Sequence, residues 1–291
     1  MQGESDKRQE IRSRIYHQID TFQKICRDNS SSPDKIVHEL RKSIKRIRAL
    51  FRFLKPFISE SDFHLIDGKL AKTGRSLTQE REATVNIVTF TELTRSMGNE
   101  FSEQSRRLII HGLVKARNQS FSHWQNGLNK TVAVHQFTMS RIHDEIKNLK
   151  ISENQHDLEL KAIENSQIRS IRYYNDARLS RQTEIIHKWR KQLKRLFFQL
   201  KFGLPDQSPE VIAMIKLLDK ITDLLGKDHD LALLIHTIKG SYKKDLSKDE
   251  FEYLVMQVDR ERTKIQGTAF RMGKELTTLT MAELSTELVT V

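Results

Sequence analysis

Val37-His38-Glu39-Leu40-Arg41-Lys42-Ser43-Ile44-Lys45-Arg46-Ile47 is a stretch that this chain carries twice. The second copy is Ile186-His187-Lys188-Trp189-Arg190-Lys191-Gln192-Leu193-Lys194-Arg195-Leu196, and both obey the pattern apolar-His-x-apolar-Arg-Lys-x-apolar-Lys-Arg-apolar. On a helix turning about 100° per residue, Val37, Leu40, Ile44, Ile47, Phe51 and Leu54 fall on one stripe. His38, Arg41, Lys42, Lys45, Arg46, Arg48 and Arg52 take the opposite half. The second copy places Ile186, Trp189, Leu193, Leu196 and Leu200 inward, with His187, Arg190, Lys191, Lys194, Arg195 and Lys201 outward. Alternating steps of three and four predict, in each copy, a helix with one buried and one cationic face.

A weaker match follows each copy: Leu77-Thr78-Gln79-Glu80-Arg81-Glu82 against Leu225-Gly226-Lys227-Asp228-His229-Asp230. The offset is 149 residues for the first pair of blocks and 148 for the second. Two blocks repeated at one spacing point to duplication, so we expect two homologous helical bundles, residues 1–150 and 151–291.

The remaining punctuation also reads as helical. Gly (11) and Pro (4) are scarce and strand-length alternation is hard to find, which favours an all-α fold. Ser32, Pro33 and Asp34 suit an N-cap, a first helical position and a first turn, opening a helix expected to run to about Lys55, ahead of Pro56. Ile11, Ile15, Ile19, Phe22 and Ile25 mark a helix before it. Further helices are expected over 60–97, broken near Gly68 or Gly74, then 100–125, 158–178, 182–202, 209–240 and 248–275. The stretch 127–156 reads as the least regular part, with a helix possible over 134–149, and the tail after Thr277 as weakly ordered.

The charge is concentrated. The net charge is +12; residues 40–55 hold seven Lys or Arg and no acid, and residues 187–201 hold six and no acid. These thirteen cations leave the rest of the chain near neutrality. Like charges at i,i+4 cost a helix about 0.2–0.5 kcal/mol per pair, so such faces imply an anionic partner. Cations spaced along a helix that rises about 1.5 Å per residue can follow a chain of phosphates, with Arg offering a bidentate fork and Lys a point charge. Nucleic acid is the rival polyanion. Against it, aromatics make up 7% of the chain and mostly fit apolar stripes, so no base-stacking platform is evident.

Other classes fit less well. One cysteine, Cys26, excludes an internal disulfide and a Cys-based zinc cluster. No Walker-type loop, His-Glu-x-x-His or Glu-x-Glu-x-Lys pattern is present, so neither enzymatic activity, a metal nor a cofactor is expected. A phosphoryl-carrying His38 or His187 would be crowded by cations, without a matched carboxylate on its own helix. The first residues lack an apolar leader and no long apolar run occurs, giving the expectation of a soluble cytoplasmic protein without a membrane role.

The repeated His-x-x-Arg-Lys-x-x-Lys-Arg helix, each copy followed by a Leu-containing acidic/basic motif, resembles the CHAD domain, the conserved histidine α-helical domain, over nearly the whole chain. The resemblance implies two four-helix bundles packed around a basic central cavity, binding of inorganic polyphosphate and association with polyphosphate granules. It assigns ligand binding to His38, Arg41, Lys42, Lys45 and Arg46, and to His187, Arg190, Lys191, Lys194 and Arg195. Arg48 and Arg52 extend the first face; their counterparts are Phe197 and Lys201, so the second copy has one cation fewer. The family's later motif usually reads Leu-Gly-x-x-Arg-Asp, from which Thr78, Glu82 and His229 depart. Glu82 and Asp230 are expected to orient basic residues, and Arg178 is a secondary candidate.

Overall fold

The computed structural model describes residues 2–28, 30–95, 97–126, 128–151, 158–204 and 208–278. Among them are ten α-helices and no strand. They are α1 (Gln2–Cys26), α2 (Pro33–Phe51), α3 (Glu60–Arg75), α4 (Thr78–Arg95), α5 (Glu103–Asn126), α6 (Leu128–Asn148), α7 (Leu158–Ser180), α8 (Thr183–Gly203), α9 (Pro209–Ser241) and α10 (Lys248–Thr278). No helix is long and apolar enough to cross a membrane among the described residues. The expected tail after Thr277 lies almost wholly outside them.

The helix ends follow local chemistry, with adjustments. Ser32 has the extended cap conformation and Pro33 opens α2, but the Ser32 side chain makes no capping bond. Asp34 in the first turn instead binds Arg117 of α5 and Thr84 of α4. The helix stops at Phe51, short of the expected Lys55. Proline lacks an N–H and disfavours helical geometry in its predecessor, and Lys55–Phe57 form a single 3-10 turn around Pro56. Ser59 caps α3 by accepting from the Asp62 amide at 3.0 Å. The expected break falls at Ser76 and Leu77, just past Gly74. Part of the stretch expected to be irregular is helix: α6 begins at Leu128 and buries Met139, Ile142 and Ile146.

Two hydrophobic cores form, and each draws on both halves of the sequence. The larger joins α1, α2, α3 and α6 to α7, α8, the first half of α9 and the end of α10. Trp189 is fully buried there, stacked on Phe270 at 5.2 Å and edge-on to Tyr174 at 5.4 Å. Gly273 leaves room for this group, because a Cβ on it would lie 2.8 Å from both Trp189 and Tyr174. The smaller core joins α4 and α5 to the second half of α9 and the first half of α10, through Phe90, Phe101, Ile109, Leu234, Ile238 and Leu254. The single helix α9 therefore spans both cores, as α3 and α4 do together on the other side of their break. The cationic helices α2 and α8 pack on each other within the larger core.

Candidate functional site

Every apolar residue assigned to the inner stripes of α2 and α8 is buried, while the cations on both helices are half-buried or exposed. The cations on them fall into two groups along α2. The first surrounds Lys45. Lys45 is exposed as a residue, yet the protein crowds its ammonium, and desolvation together with Arg190, Arg41, Lys194 and Arg81 lowers its pKa to about 7. These neighbours come from α2, α4 and α8, so the fold gathers like charges from separate elements at one place.

The arginines flanking Lys45 are anchored. Arg41 donates to the carbonyl of Gly74 at 2.8 Å, near the C-terminus of α3 where the helix dipole favours a cation, and to Thr78 Oγ1 at 2.7 Å. Arg190 donates to the Thr222 carbonyl at 3.4 Å. This is the same bond at the repeat offset. A Cβ on Gly226 would lie 3.3 Å from the Arg190 guanidinium, so glycine permits that approach. In the first half the helix breaks at this point, and Thr78, which stands where Gly226 does, offers its hydroxyl to Arg41 instead. The departure from the family motif has a structural reason.

The histidines line the same region. His187 and His229 stack with ring centroids 4.1 Å apart. Burial and the neighbouring cations hold their pKa values down, to about 3 for His187 and about 4 for His229, so both are neutral near pH 7. His38 is also lowered, first by desolvation and then by Arg81, while Glu39 pulls the other way. Glu39 stands 3.8 Å from His38 and 3.1 Å from Lys42 on the same helix, so this histidine does have a carboxylate beside it, contrary to expectation. Glu82 and Asp230 lie near enough to Arg41 and Arg190 to favour the charged guanidinium electrostatically, against the desolvation that dominates at both arginines.

The second group lies two turns along α2. Arg48 grips Asp67 of α3 with both faces of its fork, Nε to Oδ1 at 2.9 Å and Nη2 to Oδ2 at 2.8 Å. Arg52 reaches the same carboxylate at 3.1–3.2 Å and donates to the Arg48 carbonyl at 2.9 Å. Arg195 of α8 and Arg169 of α7 stand close enough to lower the Arg52 pKa, after desolvation. Elsewhere Lys194 pairs with Asp219 at 3.4 Å and Asp223 at 3.6 Å. Arg46 lies over the Phe202 ring at 5.0 Å, and Lys201 over Phe197 at 5.3 Å. Lys191 is exposed, and Arg178 lies exposed in the last turn of α7.

The predicted cations thus divide into those bound to protein acceptors and those left open. Among the described residues, Lys45, Arg81, Lys191, Arg195 and Arg169 make no ion pair or hydrogen bond to the protein. Sequence reasoning missed the importance of Arg81, although it stands in the weaker repeated block, and missed Arg169 altogether. Arg169 lies on α7 away from both repeated blocks, so only the packing of α7 on α8 reveals it. No group of three or more His, Cys, Asp or Glu is placed to hold a metal ion among the described residues.

Comparison with solved structures finds a chain of the same fold: PptA from Streptomyces chartreusis, with a TM-score of 0.64 and 13% identity, covering 91% of this chain and 98% of that one. No curated protein sequence matches. The CHAD domain matches over residues 14–239, a span that holds both basic helices and the later motif of each. The chain belongs to the CHAD domain family, whose known association is with polyphosphate.

Proposed function

We propose that this protein binds inorganic polyphosphate along the cationic faces of α2 and α8, without hydrolysing it, as a module for association with polyphosphate granules. The observation that carries this reading is the environment of Lys45. Four cations from three helices surround it, and no carboxylate among the described residues bonds to it. Folding pays for that repulsion, and a phosphate chain laid across the site would relieve it. Arg41 and Arg190, fixed by helix carbonyls, would present the rest of their forks to phosphate oxygens. A polymer serves better than a single anion, because the open cations are spread over α2, α4, α7 and α8.

The fixed geometry also favours binding over chemistry. His187 and His229 are neutral near pH 7 and stacked on each other, and Asp67 is bonded to two arginines. Charge reversal tests the assignment: Lys45→Glu with Arg81→Glu, neither of which makes a hydrogen bond or ion pair among the described residues, should abolish binding of long-chain polyphosphate. Reversal of the exposed Lys147 and Lys150 should leave binding within about twofold. Equal losses would place the ligand elsewhere.

A further inference from the structure

Asp67 occupies an unusual position. It is the one carboxylate bonded to the second cationic group among the described residues, and it faces Arg48, Arg52 and Arg195 together. Its two oxygens take both donors of the Arg48 fork and one of Arg52, the arrangement that a phosphate group's oxygens adopt against paired guanidiniums. These arginines hold its carboxyl below the usual range against the opposing effect of burial, so it stays ionised. A purely structural bridge between α2 and α3 would need one arginine. Here one acid faces three, with Arg169 behind them, and the group keeps an excess of positive charge. Among the described residues, the first group, around Lys45, has no such internal anion bonded to its central cation.

We infer that Asp67 is an internal competitor for one phosphate of the ligand, and that it makes the protein discriminate by chain length. The inference rests on the binding reading proposed above. Lys45 and Arg52 are seven residues apart, so the two groups are separated by about 10 Å along α2. Pyrophosphate is too short to engage both, and takes the open group around Lys45. A long chain seated there extends to the second group, where its local concentration is high enough to displace Asp67 from Arg48 and Arg52. The short ligand meets Asp67 without that advantage.

The test compares pyrophosphate and long-chain polyphosphate by titration calorimetry on the intact protein and on Asp67→Asn. Asp67→Ser serves as a second variant should the amide keep the arginine fork occupied. Asp144→Asn, an exposed acid on α6, controls for the loss of one negative charge. Asp67→Asn or Asp67→Ser should bind long chains about tenfold more tightly and should take up a second pyrophosphate, while Asp144→Asn changes each affinity less than twofold. Weaker long-chain binding by both Asp67 variants would overturn the inference and make Asp67 a positioning residue for the arginines. An equal gain for both ligands with unchanged stoichiometry, or no change at all, would overturn it as well. Failure of the unaltered protein to bind long chains would instead refute the binding reading itself, and this inference with it.

Discussion

Raising the pH through the physiological range should loosen polyphosphate by neutralising Lys45. In the free protein its pKa is about 7, chiefly through desolvation and then through Arg190, Arg41, Lys194 and Arg81. A bound polyanion favours the charged form, so ligand binding raises this pKa and draws a proton into the complex. The sign follows: affinity is full below pH 7 and falls as pH rises above it. If the complex needs Lys45 charged, apparent affinity falls by about 30-fold between pH 6 and pH 8.5, approaching tenfold per unit. Binding at pH 7.5 then takes up about three-quarters of a proton, readable as a buffer-dependent binding enthalpy. His187 and His229, at about 3 and 4, are already neutral across this range and leave the slope unchanged. The assay is a polyphosphate titration at constant ionic strength with long chains, whose terminal phosphates contribute little. Lys45→Arg is the decisive variant, because guanidinium stays charged throughout and should flatten the profile. A flat profile for the unaltered protein, or the same slope in Lys45→Arg, would refute the reasoning.

Two further expectations concern the folded state. Because the Lys45 pKa lies below that of an unfolded lysine, the unfolded chain binds more protons between about pH 7 and 10.4, and Lys45 weakens the ligand-free fold most at and below pH 7. Lys45→Met should therefore raise the melting temperature by a few degrees at pH 7 while reducing binding, with the gain fading towards pH 10; a lower melting temperature at pH 7 would contradict this. Asp228 is 1% exposed and accepts from Arg262 at 2.9 Å and Gln266 at 2.8 Å, while Arg262 also donates to Thr183 at the start of α8. Arg262→Ala strands that buried carboxylate and should cost about 3–5 kcal/mol, lowering the melting temperature by about 10 °C; Asp228→Asn added to it should recover part of the loss.

Much of the fold was legible because apolar spacing states which face of a helix is buried. It located α8, α9 and α10 to within a few residues, since their cores repeat every three or four positions. It could not say what each face packs against, so nothing in the sequence showed that each core would draw on both halves, with α9 running through the two of them. The start of α6 was missed because Leu128 to Thr131 offer little periodicity, and the helix is secured by later residues such as Met139 and Ile142. For the site, the repeated blocks named the cations on α2 and α8. What they could not show was the partnering of those cations. Asp67 lies 19 residues from Arg48, Asp219 lies 25 from Lys194, and Glu39 falls one residue before the acid-free window. The Asp67 and Asp219 bonds depend on how neighbouring helices meet, and so does the approach of Arg81 and Arg169 to the two groups; the Glu39 pair lies within α2 itself.

The central claim is that the cationic faces of α2 and α8 serve a flexible phosphate chain rather than a nucleic acid. Its most direct test is competition on the intact protein at ~150 mM salt, with long-chain polyphosphate set against single- and double-stranded nucleic acid at equal phosphate concentration. The account predicts that polyphosphate displaces both nucleic acids, and that neither displaces polyphosphate. Displacement of polyphosphate by either nucleic acid would contradict it.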